Sequence, residues 1–104
     1  MEIYADYAAT TPVKPEVVDA MMMIYNSHYG NPSSIHAKGR DARKYLDESR
    51  RQIAQLLGAD THEIIFTSGA TESNNTAIKG IVKANEQLGN HIITSKIEHH
   101  SVLH

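Results

Sequence analysis

Apolar side chains recur at three- and four-residue steps in three stretches of this chain and run together in two others. Val17, Val18, Met21, Met22 and Ile24 predict a helix from about Pro15 to His28, with Gly30-Asn31-Pro32 ending the pattern. Pro15 suits the first helical position, where the missing N–H has no partner to lose. In the polar segment from Ile35 to Leu57, Ala42, Tyr45, Leu46, Ser49, Ile53, Leu56 and Leu57 fall near one face, which predicts a long amphipathic helix ending at Gly58. Ala77, Ile78, Ile81 and Val82 predict a third helix from Ala70 to Leu88, stopped by Gly89. Glu63-Ile64-Ile65-Phe66-Thr67 and His91-Ile92-Ile93-Thr94-Ser95 are short β-branched runs between turn formers and read as strands. Ser101-Val102-Leu103 opens a further helix.

Strand, helix and strand in this order make a βαβ unit, whose strands run parallel through a right-handed crossover. The pattern therefore predicts an α/β fold. Residues 1–14, with Asp6, the Ala8-Ala9-Thr10-Thr11 run and Pro12, read as an extended arm with little core of its own. Residues 15–104 read as helices and the first βαβ unit of an incomplete domain.

Composition narrows the class of partner. The 104 residues are 40% hydrophobic and 21% charged, an ordinary globular balance. Ten Lys and Arg against 12 Asp and Glu leave a net charge of −2, which is not the footprint of a nucleic-acid or anionic-membrane binder. No apolar run approaches the roughly 20 residues that span a bilayer, and Met1-Glu2-Ile3 lacks a basic leader, so a cytoplasmic protein is expected. Cysteine is absent, which excludes disulfides, thiolate metal sites and a cysteine nucleophile within these residues.

Two stretches could carry chemistry. Phe66-Thr67-Ser68-Gly69-Ala70-Thr71-Glu72-Ser73-Asn74 joins a predicted strand to a helix N-terminus through small residues. There, backbone N–H groups, the helix dipole and the Thr71 hydroxyl favour a phosphate. Ser68 or Thr71 could equally serve as a helix cap with Glu72 in the first turn, and the two roles are compatible. The second stretch, Glu98-His99-His100-Ser101-Val102-Leu103-His104, follows the second predicted strand, where α/β folds gather ligand contacts. A histidine there could stack on a planar cofactor or move protons near neutral pH. His100 and His104 have metal-sharing i, i+4 spacing but no third ligand, so no metal site is expected. Lys96 reads as a surface charge and Met21-Met22-Met23 as core filling.

Four segments together resemble the amino-terminal part of the cysteine desulfurases, class V aminotransferase-like enzymes of fold-type I that use pyridoxal 5'-phosphate (PLP). They are Tyr4-Ala5-Asp6-Tyr7-Ala8-Ala9-Thr10-Thr11-Pro12, Tyr29-Gly30-Asn31-Pro32-Ser33-Ser34-Ile35-His36, Ile65 to Asn74, and His91-Ile92-Ile93-Thr94-Ser95-Lys96-Ile97-Glu98-His99, in the family's order and spacing. The resemblance implies the amino-terminal part of the aspartate-aminotransferase-like PLP-dependent transferase fold. It further implies that Ala70 and Thr71 hold the cofactor phosphate and that His99 is the catalytic, ring-stacking histidine, while His100 and His104 inherit no role.

In the complete family a lysine bonds the cofactor, an aspartate pairs with its ring nitrogen, and a mobile-loop cysteine takes sulfur from L-cysteine as a persulfide, leaving L-alanine. A sulfur-acceptor protein such as an iron–sulfur scaffold then receives the sulfur, and the enzyme works as a homodimer. Those three residues lie beyond the family segment present here, so activity is not expected of these 104 residues alone. Half of a split enzyme, or a non-catalytic interaction protein docking on a separate chain, is the alternative. Within the family, selenocysteine lyases and class V aminotransferases share the phosphate turn.

Overall fold

Pro15 begins the first helix, α1 (Pro15–Ser27), behind an extended Lys14. The second and third are α2 (Ala37–Leu57) and α3 (Ala70–Ala84), and a short α4 (His100–Leu103) follows. Single 3-10 turns occupy Thr61–Glu63 and Glu86–Leu88. These elements come from a computed structural model that describes residues 2–103, so the spacing of His100 with His104 lies outside the described residues. The chain forms two compact units, Met1–Ile64 and Ile65–His104.

In the first unit the loop between α1 and α2 is wound tightly onto the start of α2. Asn31 accepts the Ser33 N–H through its side chain and the Ser34 N–H through its carbonyl, both at 2.9 Å. His36 caps α2, its Nδ1 accepting the Gly39 N–H at 3.3 Å. Gly39 is buried, and a Cβ on it would lie 2.2 Å from the Ser34 carbonyl oxygen, so a hydrogen is all that fits. His28, at the C-terminal end of α1, bonds the Asp41 carboxylate on α2, and its ring centroid lies 4.2 Å from that of Tyr45. The Lys38 ammonium also donates to the Ser27 carbonyl at 3.3 Å, a further link between α2 and α1.

Gly58 ends α2 in the left-handed conformation at φ 65°, which a glycine adopts without a Cβ clash. The Ala59 N–H then closes on the Ala54 carbonyl at 2.9 Å. Asp60 and Glu63 form a capping box around the next turn, with the Asp60 N–H donating to Glu63 at 2.8 Å. Arg50 reaches from α2 to the Ile64 carbonyl at 3.4 Å. Ala54, at 2% exposure, is the buried apolar side chain among the described residues.

The helices agree with the sequence pattern except at one end. α3 stops at Ala84, four residues short of Leu88, because the Asn85 amide turns back to the Ile81 carbonyl at 2.8 Å and the chain tightens into the 3-10 turn.

Neither predicted strand is present among the described residues. Glu63 belongs to a 3-10 turn, Ile64 is extended, and Ile65 to Thr67 and His91 to Ser95 have no strand partner. A strand is completed by the N–H and C=O groups of a neighbour, and an isolated extended segment has none to offer. The apolar side chains that would face such a sheet are correspondingly exposed, Ile65 at 72% and Ile93 at 88%.

Replacing a helical glycine by alanine ordinarily stabilises by about 1 kcal/mol. At Gly39 the sign reverses, because the Ser34 carbonyl must move. G39A in the complete protein is expected to lower the urea midpoint, by about 1–3 kcal/mol of stability.

Candidate functional site

The second unit holds every residue singled out for chemistry. Gly69 precedes α3 in an extended conformation, and Ala70, Thr71 and Glu72 form the first helical turn. Their N–H groups have no carbonyl within the helix to pair with, and the dipole adds positive potential at this end. A Cβ on Gly69 would meet nothing within 4 Å, so the approach to this turn is open. Thr71 is exposed beside it.

Side chains brace the turn from behind. Glu72 accepts the Ser68 hydroxyl and the Ser68 N–H, both at 2.7 Å. The Ser68 hydroxyl first, and its N–H next, hold the Glu72 carboxyl below the usual glutamate range. The Thr67 and Ser73 hydroxyls lie 2.6 Å apart, each 3.2 Å from the Gly69 carbonyl. Ser68 therefore presents its donors to Glu72, and neither Ser68 nor Thr71 caps the helix: the N-cap is Gly69, without a side-chain cap bond, and Glu72 in the first turn reaches back one residue beyond it.

His99 stands just before α4, and its imidazole caps that turn. Nδ1 accepts the Ser101 N–H at 3.1 Å and lies 2.8 Å from the Ser101 hydroxyl. The Asn74 amide on α3 donates to the same hydroxyl at 2.8 Å. The Asn75 amide donates to the Thr71 carbonyl at 3.0 Å and to the Ser101 carbonyl at 3.4 Å. Two consecutive α3 residues thus tie the histidine-bearing turn to the helix that begins at Ala70.

Sequence reasoning named Ala70, Thr71 and His99 and missed Asn74, Asn75 and Ser101. A signal was there: asparagine competes with the helical backbone for hydrogen bonds, so two in succession inside a helix imply work for their side chains. Lys96 and His100 are exposed, and no group of three metal-ligating side chains occurs among the described residues. No helix there is long and apolar enough to cross a membrane. A cleft of about 580 Å³, lined by Ala20, Ile24, Tyr45 and Leu46 among others, belongs wholly to the first unit and includes none of these residues.

The family model for class-V aminotransferases matches residues 3–104. The chain belongs to that family. It is 57% identical over 102 residues to the cysteine desulfurase IscS of Dictyoglomus turgidum, covering 98% of this chain and 26% of the relative. The cysteine desulfurase IscS of Methanosarcina thermophila is 53% identical, with 98% and 25% covered. Among solved structures, a NifS-like protein superposes with a TM-score of 0.91 at 41% identity, over 99% of this chain and 28% of that one. SspA in complex with cysteine gives 0.85 at 44% identity, over 96% and 29%. The chain spans about a quarter of the length of the curated relatives it matches and corresponds to an amino-terminal segment of them.

The first turn of α3 fits the phosphate of a class-V cofactor by the chemistry of its donors: unpaired N–H groups, the Thr71 hydroxyl, an open Gly69, and a carboxylate already engaged by Ser68. The support behind that turn titrates. A carboxylate whose folded pKa is lowered stabilises fully above its unfolded value of about 4.3 and loses that contribution as pH falls through the folded value. E72Q is therefore expected to lower the Tm of the complete protein near neutral pH. That deficit should shrink to nothing in acid below the depressed Glu72 pKa, as thermal melts of both proteins across the range will show.

Proposed function

We propose that this segment supplies the phosphate-holding turn and the ring-facing histidine of a PLP-dependent cysteine desulfurase acting on L-cysteine. The observation that carries the reading is the bonding of the His99 turn, through Ser101, to the helix whose first turn presents unpaired N–H groups. The relatives' names point to the same chemistry, and one structural neighbour was solved with cysteine bound.

In this reading Ala70 and Thr71 hold the phosphate with their N–H groups, and the Thr71 hydroxyl adds a further donor. His99 faces the cofactor ring. Bound PLP supplies the electron sink for bond changes at the substrate's α-carbon. The chain's own residues anchor one end of that group, set a ring against it, and hold a proton at a defined imidazole nitrogen. No residue described here can act as the sulfur-accepting nucleophile, since the 104 residues contain no cysteine. That step, the covalent anchor and transfer to a sulfur-acceptor protein fall to the remainder of the family's length.

The α/β architecture belongs to the same reading. Residues 64–67 and 91–95 pair as parallel strands once neighbouring strands are supplied, with α3 as their crossover, and residues 1–14 lie as an arm against the larger body. The complete enzyme is read as a homodimer. The bound cysteine of the neighbour favours this substrate over those of selenocysteine lyases and other class V aminotransferases.

Two substitutions in the complete protein test the assignment. T71A removes a donor to a charged phosphate, and such a bond is worth about 1.5–3 kcal/mol, so PLP affinity is expected to fall by roughly 10- to 100-fold in equilibrium dialysis. H99A should keep the phosphate contact, alter the absorption spectrum of bound PLP and lower alanine formation from L-cysteine. PLP bound by T71A as tightly as by the native protein would withdraw Thr71 from the site.

A further inference from the structure

His99 has a tautomer, and its neighbours choose it. The Ser101 N–H can only donate, so the Nδ1 it meets at 3.1 Å must present a lone pair. The Asn74 amide nitrogen likewise can only donate, so the Ser101 oxygen accepts from it at 2.8 Å and its own hydrogen is left to point elsewhere. His99 Nδ1 lies 2.8 Å from that oxygen. The polarity of the chain is thus fixed from one end: Asn74 amide to Ser101 hydroxyl to His99 Nδ1. Two hydrogens converge on Nδ1, and the proton of the neutral ring sits on Nε2.

We propose that Ser101, oriented by Asn74, is a positioning residue that locks His99 in the Nε2–H tautomer. The inference rests on the reading of His99 as the ring-facing residue for its consequence, though not for its geometry. The nitrogen turned away from the clamp faces the site as a hydrogen-bond donor and offers no lone pair to accept a proton while the clamp holds. Asn75 contributes differently: by joining the Ser101 carbonyl to the Thr71 carbonyl, it keeps the turn that carries this ring in register with the phosphate end of α3.

The arrangement also separates two duties. Capping α4 needs an acceptor at Nδ1, and facing a ligand needs a defined group at Nε2; one ring meets both demands in only one of its neutral tautomers. The relay is built from side chains on α3 and in the His99 turn alone, both within the second unit. It therefore needs neither cofactor nor substrate to form.

The test is histidine-selective nitrogen NMR on the complete recombinant protein, without and with PLP, the His99 signals being assigned by their loss in H99A. The native ring should show an unprotonated Nδ1 and a protonated Nε2 in both states. In S101A one of the two hydrogens at Nδ1 is gone, so the ratio of the Nδ1–H to the Nε2–H form should rise about fivefold, the factor that one net hydrogen bond supports. N74A should shift it the same way, and S101T, which keeps the hydroxyl, should restore the native pattern. A native ring protonated at Nδ1, or Nδ1 signals unmoved in S101A and N74A that retain native circular dichroism, would overturn the proposal. PLP absorption in H99A separates this result from the functional reading: an unchanged spectrum removes His99 from the cofactor but leaves the clamp intact, and a changed spectrum with an Nδ1–H native ring does the reverse.

Discussion

Three hydrogen bonds from the side chains of Asn74 and Asn75 and the hydroxyl of Ser101 organise the second unit around α3. Without them, α3 and the turn at His99 would be two pieces of local structure separated by an extended, exposed segment. With them, a helix N-terminus that holds unpaired N–H groups and a histidine with one assigned nitrogen belong to one compact unit. Each bond is individually modest, about 0.5–1.5 kcal/mol net when the alternative is water. Their importance lies in direction: an amide that can only donate sets the sense of everything that follows it.

Among the described residues a histidine ring caps a helix N-terminus twice, and the two cases show how local chemistry recurs under different burdens. His36 caps α2 through Nδ1, beside a glycine packed so closely that no side chain fits. His99 caps α4 in the same manner, with exposed surroundings and with Nε2 left over. In the first case the cap completes a tight loop that positions a long helix. In the second the helix is a single turn of four residues, too short to justify a dedicated cap by its own stability. The bonding at His99 therefore reads more naturally as fixing the histidine than as supporting the helix.

The helices were legible in the sequence because their information is local. Pro15 and Gly58 mark boundaries that the structure places at Pro15 and Leu57, and of the face read on α2, Ala42, Tyr45, Leu46 and Ile53 are half-buried while Ser49, Leu56 and Leu57 are exposed. The small-residue turn that opens α3 at Ala70 was legible for the same reason. Residues 64–67 and 91–95 were not, since their β-branched composition states a preference that only neighbouring strands can fulfil. The Asn74–Ser101 contact spans 27 residues, and no spacing rule reaches so far. Sequence reasoning fixed on histidine, the residue with the obvious chemistry, whereas the side chains bonded around it belong to a serine and an asparagine.

The exposed apolar residues bear on how the site can work. Ile92, Ile93 and Ile97 lie just ahead of His99, and Ile97 is 94% exposed. A cofactor phosphate interacts far more strongly with N–H dipoles when water is excluded, because the effective dielectric falls. In the present arrangement the turn at Ala70 and the ring of His99 face solvent, so their donors compete with water for any anion. Covering the isoleucine-rich segment with further sheet and helix would both bury its side chains and lower the dielectric around the turn. Donor geometry and its electrostatic strength thus have different origins: the first is already built into α3 and the His99 turn, while the second depends on excluding water from around them.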